Sequence, residues 1–316
     1  MTPEPGALVT AVIPTAGRSR LVVRAVESAL AQTLRDIEVV VVLDGPDLAT
    51  AKALEKIRDP RLRRVERTRR GGSGPARNSG VQAATTHWIA FLDDDDTWMP
   101  EKLAVQLAAA EASGLAHPIV SGRVAVRDGS GGTRVWPRRF PRRGEPLGDY
   151  MLVRRGLFWG EALVHTSTLL AERTLLENVP FREDISRHED MDWLLRAIRE
   201  PGVGIVFPPG ESPVATWSVD RDRPRLSRAG DWRDSLAWAR RARPLISRRA
   251  YASFALTLVA AHAARERSAE GIWRLPWEAF RHGRPGLRDL FLFAGIWLVP
   301  ESLRERLGRR RSARGG

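Results

Sequence analysis

Residues Ile37–Leu43 read Ile-Glu-Val-Val-Val-Val-Leu, an almost continuous β-branched run. Such a strand is apolar on both sides, so it fits only where helices cover both faces of a parallel sheet. The neighbouring sequence supplies those helices. Leu21, Val22, Val26, Ala29 and Leu30 recur at helical spacing. Further strand signals fall at 8–13, 62–66, 88–92, 119–126, 162–170 and, last, 204–207. Helix signals fall at 47–57, 75–84, 100–112, 172–178 and 189–199. Alternation of this kind predicts an α/β fold with a mostly parallel, doubly wound sheet. The basic, proline-broken stretch 134–143 reads as a loop or edge hairpin. From residue 231 onward the signal is helical. The chain is therefore expected to divide into an α/β domain, 1–228, and a basic helical extension, 229–316.

The 316 residues contain no cysteine, which excludes disulfides, Cys-ligated zinc and thiol catalysis. Formal net charge is +13, with arginine concentrated at 61–70, 134–155 and 304–314. That charge suits phosphate-bearing substrates, anionic lipid or nucleic acid. The first six residues do not resemble a secretory leader. No apolar stretch approaches the ~20 residues of a spanning helix. A cytoplasmic protein is expected, with association to the inner face of the plasma membrane through the extension.

Phe91-Leu92-Asp93-Asp94-Asp95-Asp96 carries the strongest chemical signal. Four adjacent carboxylates at the end of a buried strand repel one another, and a fold tolerates them where a cation or donor hydrogen bonds offset the repulsion. Strand ends of open α/β sheets are where ligands bind, and hard oxygen ligands there suit Mg²⁺ or Mn²⁺ bridging a diphosphate. Asp44 ends the 37–43 strand in a similar position, suited to accept a hydrogen bond from a base or ribose. The first strand-to-helix turn, Pro14-Thr15-Ala16-Gly17-Arg18, is not GxGxxG, and no GxxxxGK[ST] loop is present. A glycine-rich loop, 71–74, opens a helix and allows close approach of phosphate.

In order along 8–208, these segments resemble the family-2 glycosyltransferases of GT-A fold. VIPT with Arg18, the 39–45 strand, GPARNSG at 74–80 and IAFLDDDDTWMPEKL at 89–103 carry the resemblance. It implies an inverting, metal-dependent transfer from a nucleotide sugar, with a UDP-sugar the expected donor. Pro14, Thr15, Arg18, Asp44, Arg77, Asp93 and Asp94 would hold the donor. Asp95 would be the direct Mg²⁺ or Mn²⁺ ligand, and Asp96, Trp98 and Glu189 would position sugar and acceptor. His188-Glu189-Asp190 resembles the family's ED motif, which makes Asp190 the catalytic base. The implied acceptor is a saccharide or lipid-linked saccharide of polysaccharide or glycolipid synthesis. His165 and His188 read as structural or peripheral. Trp217, Arg225 and Ser227 lie where a donor-covering loop is expected.

Trp232, Trp238, Trp273, Trp277 and Trp297 interleave with arginines in the extension, a pattern suited to a membrane interface. Two other functions compete. A basic nucleic-acid-binding protein would leave the acidic run unexplained, so no nucleic-acid partner is expected. A non-catalytic sensor of sugar nucleotides would not need the intact acids.

Overall fold

The computed structural model describes residues 7–127, 132–156, 160–219 and 231–299. They form two compact units, Met1–Pro137 with Val164–Arg221, and Arg138–Leu163 with Asp222–Gly316.

The first unit holds eleven strands among its described residues. They are β1 (Val9–Thr15), β2 (Ile37–Leu43), β3 (Leu62–Glu66), β4 (Trp88–Phe91), β5 (Thr97–Trp98), β6 (His117–Val120), β7 (Val124–Arg127), β8 (Thr133–Trp136), β9 (Leu170–Glu172), β10 (Val203–Val206) and β11 (Ala215–Ser218). Helices α1 (Ser19–Leu30), α2 (Leu48–Leu54), α3 (Ser73–Ala83) and α4 (Lys102–Ala112) follow β1, β2, β3 and β5 in turn. α5 (Leu147–Leu152) belongs to the second unit, and α6 (Arg173–Asn178) and α7 (Glu189–Ala197) complete the first.

The large sheet has the order β10-β6-β9-β4-β1-β2-β3. All its pairings are parallel except those of β9, which runs antiparallel between β4 and β6. Every residue of β1 and β2 is buried, as the unbroken β-branched run requires. α1 turns Val22, Ala25, Val26, Ala29 and Leu30 inward. Asp47 caps α2 by accepting from the Thr50 N–H at 3.0 Å. The β-branched wall admits α3 only because position 80 is glycine. A Cβ there would lie 2.3 Å from Val12 Cγ1 and 3.2 Å from Val42 Cγ2.

A second sheet, β5-β11-β7-β8, stands beside the first within the same unit. The expected strand at 119–126 is therefore two strands in two sheets. It breaks at Ser121-Gly122-Arg123, where a Cβ on Gly122 would meet Val214 Cγ2 at 2.6 Å. β8 makes the 134–136 region a hairpin with β7. β10 is followed by one more strand, β11, so the 204–207 signal is not the last. Most of 162–170 is not extended either, because Thr166–Thr168 forms a 3-10 turn before β9.

The second unit is helical, with α8 (Trp232–Arg241), α9 (Arg248–Phe254), a π-helical turn (Ala255–Val259), α10 (Ala260–Arg265), α11 (Ala269–His282) and α12 (Leu287–Leu298). Residues 138–163, expected within the first domain, group here for a physical reason. The Arg154 N–H donates to Ser253 Oγ at 2.9 Å, and Ser247 Oγ, the cap of α9, also donates to Asp149 on α5. Ala252, Leu256 and Ala279 form a core cluster against which Leu290 and Phe293 of α12 pack. Two fully buried acids are paired, Glu278 with Arg240 and Asp289 with Arg249.

Alanine is a better helix former than glycine by ~1 kcal/mol. The overpacking described for Gly80 costs ~1–3 kcal/mol. Gly80→Ala is therefore expected to lower the denaturation midpoint of the protein, and a raised midpoint would show that α3 is not seated as tightly as described.

Candidate active site

The four aspartates connect the two sheets of the first unit, between β4 and β5. They form a turn in which the Asp96 N–H donates to the Asp93 carbonyl at 3.1 Å. A four-residue turn brings its first and last residues together and sets the central two apart. The carboxylates sort accordingly.

Asp94 and Asp95, the central pair, face Arg18 at the start of α1. Arg18 Nη1 lies 2.9 Å from Asp94 Oδ1 and 3.3 Å from Asp95 Oδ2. Thr15 Oγ1, at the end of β1, donates to Asp94 Oδ2 at 2.7 Å. Burial pushes the Asp94 carboxyl up to about 6 even though Arg18 and Thr15 oppose the shift. Pro14, one residue earlier, pairs with Val42 inside the sheet.

Asp93 and Asp96, the outer pair, meet His165. One ligand atom from each lies within 4.8 Å of the other two. Asp96 is 1% exposed. It accepts from Ser167 Oγ at 2.6 Å and from the Ser218 N–H at 3.2 Å, and His165 Nε2 lies 3.7 Å away. Burial, together with the charges of Asp93 and Asp95, holds its carboxyl well above the ordinary carboxylate range. The Trp217 ring of β11 lies 4.8 Å from the His165 ring. Arg225 and Ser227, expected near Trp217, lie outside the described residues.

Asp93 is tied to the remaining acids by Arg77 of α3. Arg77 is 3% exposed, and its Nη2 and Nη1 lie 2.8 Å from Asp93 Oδ1 and 3.0 Å from Glu189 Oε1. Burial acts to lower the pKa of this guanidinium, but the carboxylates of Asp93, Glu189 and Asp190 outweigh it and raise the value. Glu189 also accepts from Ser73 Oγ. Asp190, next to it at the start of α7, accepts from Thr166 Oγ1 at 2.9 Å and from the Met191 N–H at 2.7 Å. Desolvation and the Glu189 charge push Asp190 up to about 6, against the pull of Arg77. His188 enters α7 with φ +62°, a left-handed conformation rare outside glycine, and so sets the direction of the two acids.

Asp44 ends β2 and holds the loop that opens α3. It accepts from the Gly72 N–H at 2.7 Å, from the Gly71 N–H at 3.0 Å and from Arg67. Gly72 has φ +93° and precedes α3, so Asp44 holds the entry of the helix that carries Arg77. Trp98 is buried. Its Nε1 donates to the Ser167 carbonyl at 2.8 Å, and Lys102 Nζ lies 4.2 Å from its ring centroid. Trp98 thus reaches the site through Ser167.

The structure brings together Thr15, Arg18, Arg77, Glu189, Asp190 and all four turn aspartates. Asp95, the expected direct ligand, is not in that group of ligand atoms, because the turn pairs positions one and four. His165, expected to be structural or peripheral, is inside that group. Only the 3-10 turn before β9 brings residues 165–167 to the acids. Its hydroxyl-rich sequence, His-Thr-Ser-Thr, was the one available signal.

A mostly parallel sheet with an acidic turn at the junction to a smaller sheet defines the GT-A class. The chain belongs to glycosyl transferase family 2, whose model matches residues 10–179, more than half of its length. Succinoglycan biosynthesis protein ExoO of Rhizobium meliloti is 32% identical over 208 residues, covering 63% of this chain and 60% of that protein. The chain thus matches about three fifths of that relative's length. Amylovoran biosynthesis glycosyltransferase AmsB of Erwinia amylovora is 25% identical, covering 75% and 78%. S. aureus TarS, solved in complex with UDP-GlcNAc, shares the fold at a TM-score of 0.58 and 17% identity, covering 96% and 88%. Mannosyltransferase PcManGT from Pyrobaculum calidifontis, in complex with GDP-Man and Mn²⁺, gives 0.50 and 20%, covering 98% and 81%.

Arg77 neutralises two carboxylates that are mostly shielded from water. Removing one partner of a buried ion pair costs about 3–5 kcal/mol. Arg77→Met is expected to lower unfolding free energy by about that amount in chemical denaturation at neutral pH. An unchanged free energy would mean that the acids are held by other contacts.

Proposed function

We propose that the chain transfers a sugar from a nucleoside-diphosphate sugar to an acceptor hydroxyl with inversion, with Asp190 as the base. The carrying observation is the Arg77 bridge, which joins the acid turn to the start of α7 and so sets the base beside the donor-binding acids. A UDP-sugar is the donor of first choice, in line with the UDP-GlcNAc held by TarS. The names of ExoO and AmsB support a role in polysaccharide synthesis. An Escherichia coli relative, WfaP, is named for glucosyl transfer from UDP-Glc to a diphosphoundecaprenol-linked sugar, over a match of 26% of this chain. Such a lipid-linked saccharide is the acceptor class we favour.

Two carboxylates and an imidazole within 4.8 Å make a donor set that fits Mn²⁺ well and Mg²⁺ acceptably. Asp93, Asp96 and His165 would hold the ion, which contributes positive charge against the diphosphate leaving group. PcManGT, solved with Mn²⁺, supports that choice.

The chain's own groups perform the rest. Arg18 and Thr15 keep Asp94 and Asp95 turned toward α1. The Gly71 and Gly72 amides and Arg67 orient Asp44 at the nucleoside end. Thr166 and the Met191 amide fix the Asp190 carboxylate, leaving its remaining lone pairs for the acceptor hydroxyl. That oxygen attacks the anomeric carbon from the face opposite the leaving group. Its proton passes to Asp190, and the bond pair leaves with the nucleoside diphosphate.

Asp190→Asn is expected to lower kcat by about 10²–10⁴-fold while donor binding stays within a few-fold. Full activity in this variant would overturn the base assignment. Asp190 works as the anion, and its carboxyl is raised to about 6. The rate should therefore be complete above that pH and fall about tenfold per unit below it. A pH–rate profile flat from about 5 to 8 would contradict the assignment, since an ordinary solvated Asp titrates near ~3.9.

A further inference from the structure

The second unit turns its apolar side outward. In α11 the inward face is Gly271, Leu275, Glu278 and Ala279. The opposite face carries Ile272, Trp273, Trp277 and Phe280, which are 50%, 64%, 55% and 59% exposed. A helix on a water-facing surface carries polar groups there. α12 repeats the arrangement. Leu290 and Phe293 pack on the core, while Leu287, Phe291 and Leu298 face outward, 88%, 68% and 80% exposed. Between Asp289 and Leu298 it has no charged residue.

A groove of about 640 Å³ adjoins this apolar face. Arg240, Arg241, Arg243, Arg248 and Arg281 line it together with His282, and no acidic side chain does. The two features are continuous, because the Trp277 ring meets the His282 ring edge-on at 5.9 Å. Glu278, behind the groove, pairs with Arg240 and lies 4.0 Å from His282, but Arg241, Arg243, Arg248 and Arg281 outnumber it, and guanidinium groups so gathered raise a positive potential that attracts phosphate. The sequence extends that bias. From Arg281 to the end it carries nine arginines against Asp289, Glu301 and Glu305.

We propose that the second unit docks on an anionic phospholipid surface. The outward faces of α11 and α12 enter the interfacial layer, and the arginine groove takes head-group phosphates. Aromatic side chains favour that layer, and arginines beside it gain from lipid charge. A second copy of the chain is the weaker occupant. A two-fold pairing sets a patch against itself, which would bring one arginine-rich groove toward another. The proposal is independent of the sugar-transfer chemistry, and its test does not use activity.

The full chain should co-sediment with sucrose-loaded phosphatidylcholine vesicles that contain phosphatidylglycerol, and at least about tenfold less with phosphatidylcholine alone. Arg243→Gln with Arg248→Gln and Arg281→Gln should weaken partitioning by about fivefold per arginine. Trp273→Ser with Trp277→Ser should weaken it at least about tenfold. Thermal melting checks that each variant folds, and Phe280→Ser with Phe291→Ser serves as a second apolar variant. Equal binding to both vesicle types, or none to either, would overturn the proposal. So would saturable binding of inorganic phosphate to the groove without vesicle binding, which would mark a site for a free anion. A dimer in sedimentation velocity that Trp273→Ser with Trp277→Ser abolishes would assign the face to a second copy.

Discussion

Repulsion among four adjacent carboxylates governs the layout of the first unit. The acids are placed where two sheets meet, and the central pair, the first and the fourth meet different partners. Arg18 faces the central pair, Arg77 faces the first, and Ser167, Ser218 and His165 surround the fourth. Those partners come from α1, α3, the turn before β9, and β11. The acidic turn therefore fixes how much of the chain must converge on one edge. Among the described residues, Arg18 and Arg77 face the four carboxylates, which leaves negative charge in excess among those groups. That excess suits a divalent cation and, through it, a diphosphate.

Arg77 connects this electrostatic balance to the chemistry. It is buried, it spans from Asp93 to Glu189, and Asp190 follows directly. The entry to the same helix is held by Asp44 through the Gly71 and Gly72 amides. Asp44, the acidic turn and Asp190, the groups proposed to serve the nucleoside, the diphosphate and the acceptor, are thus referred to one element, α3, which Gly80 allows to sit against the β-branched wall of β1 and β2. A small displacement of that helix would move three functional groups together.

Much of this was legible in the sequence because it rests on local pattern. The 37–43 run could only be a doubly covered strand, and the acids following Phe91 could only end one. GPARNSG located the α3 start and Arg77. Other features depended on geometry that spacing does not encode. The acids form a turn, so the first and fourth approach each other, which the DxD resemblance, pointing to the first and third, does not encode. His165 reaches the acids through a 3-10 turn and an antiparallel strand that interrupts an otherwise parallel sheet, and no periodicity announces such a reversal. The strand signal at 119–126 was continuous in hydropathy, yet Gly122 lets the chain pass from one sheet to the other. Residues 138–163 joined the helical unit through hydrogen bonds from Ser247 and to Ser253, which are remote in sequence.

The central claim is that Asp93, Asp96 and His165 form a cation site at the margin of the sheet. Calorimetric titration of Mn²⁺ into the protein and into His165→Ala and Asp95→Asn variants tests it most directly. The account predicts that His165→Ala loses at least about tenfold in affinity and that Asp95→Asn, whose carboxylate faces Arg18, stays within a few-fold of the parent. Affinity lost in Asp95→Asn and kept in His165→Ala would contradict it.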